Sequence, residues 1–196
     1  MTQKILFSVL ITLFAFASSA QYAINDVARD FSLKNTDGKN ISLKELKDAK
    51  GYIVIFTCNH CPFSQLYEQR IIDLDNSFKK QGFPVVAINS NDAKKVPEDS
   101  YEEMIKRAKE YKYPFPYLHD ETQEVAKAFG AARTPHVYIL DKDLKVRYIG
   151  AIDDDSEGGK KNKAKYVEDA IKDILSGKEP KLKETKAIGC TIKWKA

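Results

Sequence analysis

Apolar positions recur along this chain with several spacings, and each spacing predicts a different kind of element. Around Asn35-Thr36-Asp37-Gly38, the stretches 28–34 and 39–43 alternate apolar and polar residues. Alternation on both sides of an Asp-Gly turn predicts a β-hairpin. Tyr52-Ile53-Val54-Ile55-Phe56 is an unbroken, largely β-branched run, as a strand covered on both faces requires, and 84–89 is a second. From Phe63 the spacing changes to that of a helix, with Leu66, Tyr67, Ile71, Leu74 and Phe78 on one stripe and Gly82 at the stop. Pro97 opens a second helix that carries Tyr101, Met104, Ile105 and Ala108. The aromatic and proline cluster 111–117 breaks it and predicts packing and chain reversal. A short helix is expected over 121–129, with Asp120 as N-cap and Gly130 past its end. Val137–Leu140 and Lys145–Gly150 flank a turn and predict a second hairpin. The polar stretch 151–163 predicts a solvated loop, Val167 to Leu175 a last helix, and 178–196 a tail that packs on the rest.

Strands alternating with helices and closed by a hairpin and a helix predict an α/β sandwich: a central mixed β-sheet, parallel in its core and antiparallel at its edges, flanked by helices. The N-terminal hairpin and the C-terminal tail are its additions. One domain over 21–196 is expected.

Residues 1–20 follow a different rule. Lys4 precedes the apolar stretch 5–17, and Ser18-Ser19-Ala20 supplies the small residues that a signal peptidase accepts. Removal after Ala20 is expected, because the apolar stretch falls short of the roughly 20 residues a membrane span needs. The mature chain is then exported, periplasmic or secreted, with no membrane insertion. A formal charge of +4, spread over basic and acidic residues alike, suggests no nucleic-acid partner.

The candidate chemistry sits where the first core strand meets the first helix, at Cys58-Asn59-His60-Cys61. Unpaired N–H groups and the positive dipole end at a helix start favour a thiolate, so Cys58 is expected to be the exposed nucleophile. Cys61, one turn on, is placed to resolve a mixed disulfide at Cys58. A zinc site would need a second ligand pair, whereas the chain offers only the isolated Cys190, His119 and His136, so neither metal nor other cofactor is expected.

Asp30-Phe31-Ser32-Leu33, Asp37-Gly38-Lys39, Ser42-Leu43, the strand into Cys-x-x-Cys-Pro, and Thr134-Pro135 before a later strand together resemble the thioredoxin-like AhpC/TSA (redoxin) superfamily, in particular its exported TlpA-type members. The resemblance implies a thioredoxin-like sandwich and a thiol-disulfide oxidoreductase acting on protein or small-molecule thiols, recharged by a redox partner. It also implies that Pro135 is cis beside the cysteines and that Thr134 and Pro135 bind the substrate chain as an added strand. Thr57 and Pro62 flank the pair as supporting residues. Relatives that reduce disulfides carry Trp where this chain has Thr57 and a buried acid where it has Tyr52. His60 is similar instead to oxidising and isomerising members, in which an imidazole stabilises the thiolate.

Two other readings stand beside this one. In a peroxiredoxin-like peroxidase, Cys61-Pro62 would align with the reactive cysteine of a Pro-x-x-x-Thr-x-x-Cys-Pro pattern, with Cys58 at the threonine position and Val54 at the proline position. In a copper-binding relative the two thiols would join His119 or His136, although such proteins space their cysteines by three residues. Finally, Ile188, Ile192 and Trp194 give the tail a reason to dock, and Cys190 is expected to reach the site as a third redox thiol that exchanges with Cys58.

Overall fold

Strand β3 (Gly51–Phe56) is buried at every position because both of its edges and both of its faces are covered. It pairs in parallel with β4 (Val85–Asn89) and antiparallel with β7 (His136–Asp141). In this computed structural model, which describes residues 21–196, seven strands form one sheet in the order β2 (Asn40–Ser42), β1 (Ser32–Asn35), β5 (Tyr117–His119), β4, β3, β7, β8 (Val146–Gly150). The expected signal segment and its cleavage point lie outside the described residues. Both predicted hairpins form: β1 (Ser32–Asn35) with β2 (Asn40–Ser42), and β7 with β8 (Val146–Gly150).

Alternation along the strands sends side chains to two cores. Ile53, Ile55, Val85, Ala87, Val137 and Ile139 pack under α1 (Pro62–Phe78), α2 (Tyr101–Glu110) and α4 (Tyr166–Leu175). Val54, Phe56, Val86, Ile88, Tyr138 and Leu140 pack under α3 (Glu124–Phe129) and the N-terminal hairpin. The mixed sheet between helices is the predicted sandwich.

Four local expectations are corrected. The chain after Pro97 first makes a 3₁₀ turn, Pro97–Asp99, and α2 starts only after Ser100, which is extended at φ −63° and ψ 156°. That break turns Asp99 inward, where it is fully buried. Within the aromatic and proline cluster and just beyond it lies β5 (Tyr117–His119), a strand inserted between β4 and β1. It holds only three residues after Pro116, too few for alternation to register. Helix α3 starts at Glu124 rather than Glu121, so its N-cap is Gln123 and not Asp120, whose carboxylate reaches forward from the preceding loop to accept from the Ala126 N–H at 2.9 Å. The loop 151–163 is not simply solvated. Asp153 and Asp155 are buried and held by Arg70 of α1, whose Nη1 donates to Asp153 Oδ1 at 2.8 Å and to the Asp155 carbonyl at 2.7 Å.

Candidate active site

Thr57 ends β3 by donating its N–H to the Ile88 carbonyl at 2.8 Å, and four residues later Cys61 is the N-cap of α1 with Pro62 in its first turn. Proline suits that position, where its missing N–H would have had no partner within the helix. Cys61, and not Cys58, therefore sits at the helix N-terminus. Cys58 lies one turn ahead of the helix and only 4% of its surface is exposed.

The loop between the cysteines is pinned by groups from other elements. The Asn59 N–H donates to Asp99 Oδ1 at 2.6 Å, its Nδ2 donates to the Glu98 carbonyl at 2.8 Å, and its Oδ1 accepts from the Tyr117 hydroxyl at 2.8 Å. Gln65 Nε2 donates back to the Asn59 carbonyl at 2.8 Å. His60 Nδ1 lies 2.5 Å from Asp99 Oδ2, which also accepts from Asn91 Nδ2 at 2.8 Å. A buried acid thus stands beside the thiols after all. It arrives from the 3₁₀ turn rather than from the Tyr52 position, and nothing in the local sequence pattern marked it.

Burial pushes the Cys58 thiol above its ordinary range, and the negative charge of Asp99 adds to the rise. Opposing both are the Thr134 hydroxyl at 3.2 Å, the Ser64 hydroxyl at 3.7 Å and a backbone hydrogen bond at Cys61. The expectation of an exposed Cys58 whose thiolate a helix terminus favours is corrected on both points. Ser64, on the first turn of α1, is a neighbour that sequence reasoning missed.

Thr134, on β6 (Arg133–Thr134), touches both sulfurs: its hydroxyl meets Cys58, and its carbonyl lies 3.3 Å from Cys61 Sγ. The Thr134–Pro135 peptide bond is cis. The edge of β6 is occupied by the chain's own tail, because β9 (Cys190–Thr191) pairs antiparallel with it, Arg133 opposite Thr191 and Thr134 opposite Cys190. This register brings Cys190 to Cys61, and the two form a disulfide with their Cα atoms 6.1 Å apart. Cys58 is left as a free thiol. The tail docks as expected, yet its cysteine pairs with Cys61 instead of Cys58, and the Cys58–Cys61 disulfide is not the one present. The reason is positional: Cys61 faces the Thr134 carbonyl along the β6 edge, whereas Cys58 faces the Thr134 side chain.

Among the described residues, Cys58, His60 and Asp99 are the cluster near enough to share a metal ion. The hydrogen bonds argue against that use. Asp99 Oδ1 already accepts from Asn59 N and Asn89 Nδ2, and Oδ2 from Asn91 Nδ2 and His60 Nδ1, which fills the carboxylate's four acceptor sites. His119 lies on β5, stacked on Tyr101, and His136 packs against Tyr138 on β7. Neither belongs to the cysteine cluster, and Cys61 is already committed to Cys190.

A protein of Geobacillus kaustophilus described as an uncharacterized conserved protein has a similar structure, with 43% sequence identity, a TM-score of 0.84, and coverage of 89% of this chain and 94% of that one. The chain is 30% identical to a chloroplastic peroxiredoxin Q of Oryza sativa subsp. japonica over 62% of its own length. It spans only 56% of that relative. It is 26% identical to the thiol-disulfide oxidoreductase ResA of Halalkalibacterium halodurans, over 65% of this chain and 68% of that one. The α/β arrangement is shared with solved thioredoxin-family structures. Residues 24–149, the greater part of the chain, match the AhpC/TSA family, and the chain belongs to it.

Proposed function

We propose that this protein is an exported, TlpA-type thiol-disulfide oxidoreductase that works with three thiols. The observation that carries the reading is the convergence of the three cysteines on one residue: Cys58 and Cys61 both contact Thr134, and Cys190 pairs opposite it.

In the reduced protein, Cys58 attacks a disulfide R–S–S–R, forming Cys58–S–S–R and releasing one thiolate. Cys61 then attacks Cys58 Sγ, expelling the second thiolate and forming Cys58–Cys61. Cys190 attacks Cys61 Sγ in turn; the Cys61–Cys190 bond forms, Cys58 leaves, and the proton shed by Cys190 returns to it. The external disulfide is reduced to two thiols, and the protein reaches the observed state with Cys58 free. A small thiol attacks Cys190, the more exposed partner of the disulfide, and expels Cys61, the better leaving group because its thiolate sits at the N-terminus of α1; a second small thiol then attacks the mixed disulfide, frees Cys190 and leaves as the small disulfide, which restores the reduced form. The export reading rests on residues 1–20, and relatives such as ResA support the oxidoreductase reading.

The test is trapping. A Cys61→Ala variant treated with glutathione disulfide should hold a stable glutathione adduct on Cys58, visible by mass. An adduct that accumulates instead on Cys61 in a Cys58→Ala variant transfers the reading to a peroxiredoxin-like peroxidase. Two observations favour that second reading: the likeness to peroxiredoxin Q and the position of Cys61 at the helix N-terminus. Peroxide consumption by the reduced protein at rates near the diffusion limit would support it too.

A further inference from the structure

We infer that residues 189–195 are a resident substrate strand, which reserves the edge of β6 for the chain itself and restricts the external reactants of the site to small thiols and disulfides. This rests on the oxidoreductase reading above and names its substrate class.

β6 is the strand whose last residue touches both Cys58 and Cys61. An extended polypeptide that offers a cysteine to these thiols gains most by adding to that edge, where unpaired backbone groups would otherwise face solvent. The structure displays that arrangement with the chain's own tail as occupant, Cys190 standing opposite Thr134. Gly189 lies so close to the Thr134–Pro135 peptide that a Cβ there would run into the Thr134 carbonyl. A second chain has no room between them.

The strand is held by more than its disulfide. Ile192 is buried in the core beneath α3, and its N–H donates to the Ala132 carbonyl at 3.3 Å. The Lys193 N–H donates to Asn91 Oδ1 at 2.8 Å, and the Lys193 carbonyl accepts from the Asp92 N–H and from Gln123 Nε2, each at 2.8 Å. The Lys195 N–H donates to Gln123 Oε1 at 2.7 Å. These contacts do not involve sulfur, so reduction of the Cys61–Cys190 bond leaves the strand seated. What stays open is a recess over Cys58, lined by Ser64, Glu68, Arg107 and Tyr113, with room for little more than a water molecule. A flanking polypeptide cannot lie down in so narrow an opening.

The fully reduced protein should react at least about tenfold faster with glutathione disulfide than with the disulfides of an unfolded ribonuclease at equal disulfide concentration, followed by alkylating the remaining thiols and weighing the products. Ile192→Asp unseats the strand from the core. Lys193→Pro is the milder variant, as it removes the one backbone donor that reaches Asn91 Oδ1 and leaves Ile192 in the core. In each, the ratio of small to polypeptide rates should fall by at least about tenfold, the equivalent of one or two lost hydrogen bonds. Comparable rates for the two disulfides in the wild type, or folded variants with an unchanged ratio, overturn the inference while leaving the oxidoreductase reading intact. Failure of the wild type to reduce either disulfide overturns both.

Discussion

Asp99 Oδ2 lies 2.5 Å from His60 Nδ1, and the same carboxylate raises the thiol of Cys58. The acid thus acts on the site in two ways, orienting the imidazole and opposing ionisation of the nucleophile. Asp99→Asn keeps the shape and removes the charge. The Cys58 thiol should then titrate lower, because one of the two causes that raise it is gone, and the alkylation rate of Cys58 should reach its plateau at a correspondingly lower pH. A profile superimposable on that of the wild type refutes the charge effect.

His60→Ala should act in the opposite sense. Loss of the imidazole leaves the Asp99 charge uncompensated beside Cys58, so the thiol should move further up. Thiolate absorbance titrated against pH measures the shift. In the His60→Ala, Asp99→Asn double variant the rise should vanish, because the charge responsible for it is gone. If it persists there, His60 acts on the thiol directly.

Most of the sheet was legible because its strands announce themselves through period and composition. The runs 52–56 and 84–89, the two hairpins and the stripe through Tyr67, Ile71, Leu74 and Phe78 all depend on local pattern and form where it places them, whereas Leu66, expected on that stripe, faces solvent. β5 was not legible, since three residues behind a proline carry no period, and its place depends on pairing with β4 and β1. In the site, Cys58 and Cys61 were marked by their own spacing. Asp99 was not, because its role arises from a break in helix geometry at Ser100 and from four partners in two separate segments, 59–60 and 89–91. The partner of Cys190 escaped for a related reason. Hydrophobic residues said that the tail docks, but which thiol it meets is decided by a two-residue register on β6.

Gly189→Ala tests that register. The added methyl group must displace the tail from the Thr134 carbonyl, an overpacking that costs about 1–3 kcal/mol. After mild oxidation, the Cys61–Cys190 fraction should fall and the Cys58–Cys61 fraction should rise by a comparable amount, as read from disulfide-mapped peptides. An unchanged Cys61–Cys190 fraction shows that the tail accommodates the methyl group without leaving β6.

The pH dependence of stability offers a test at the other end of the cis peptide. His136 opens β7, packs its ring 4.8 Å from that of Tyr138 and receives the Ala132 N–H at 3.4 Å on Nδ1. Burial lowers its pKa from 6.5 to about 4. The unfolded chain therefore binds a proton more readily than the folded one between those values. The stability that a neutral His136 supports is complete above pH 6.5 and is lost progressively as the pH falls toward 4. At about 1.36 kcal/mol per unit, the loss attributable to this one residue is about 3 kcal/mol. His136→Phe keeps an aromatic ring against Tyr138 and removes the protonation. Urea unfolding followed from pH 7 to pH 4 should show a shallower loss in the variant, by about 3 kcal/mol, although it starts slightly lower for want of the Ala132 hydrogen bond. Parallel curves for the two proteins would show that the acid sensitivity arises elsewhere than in His136.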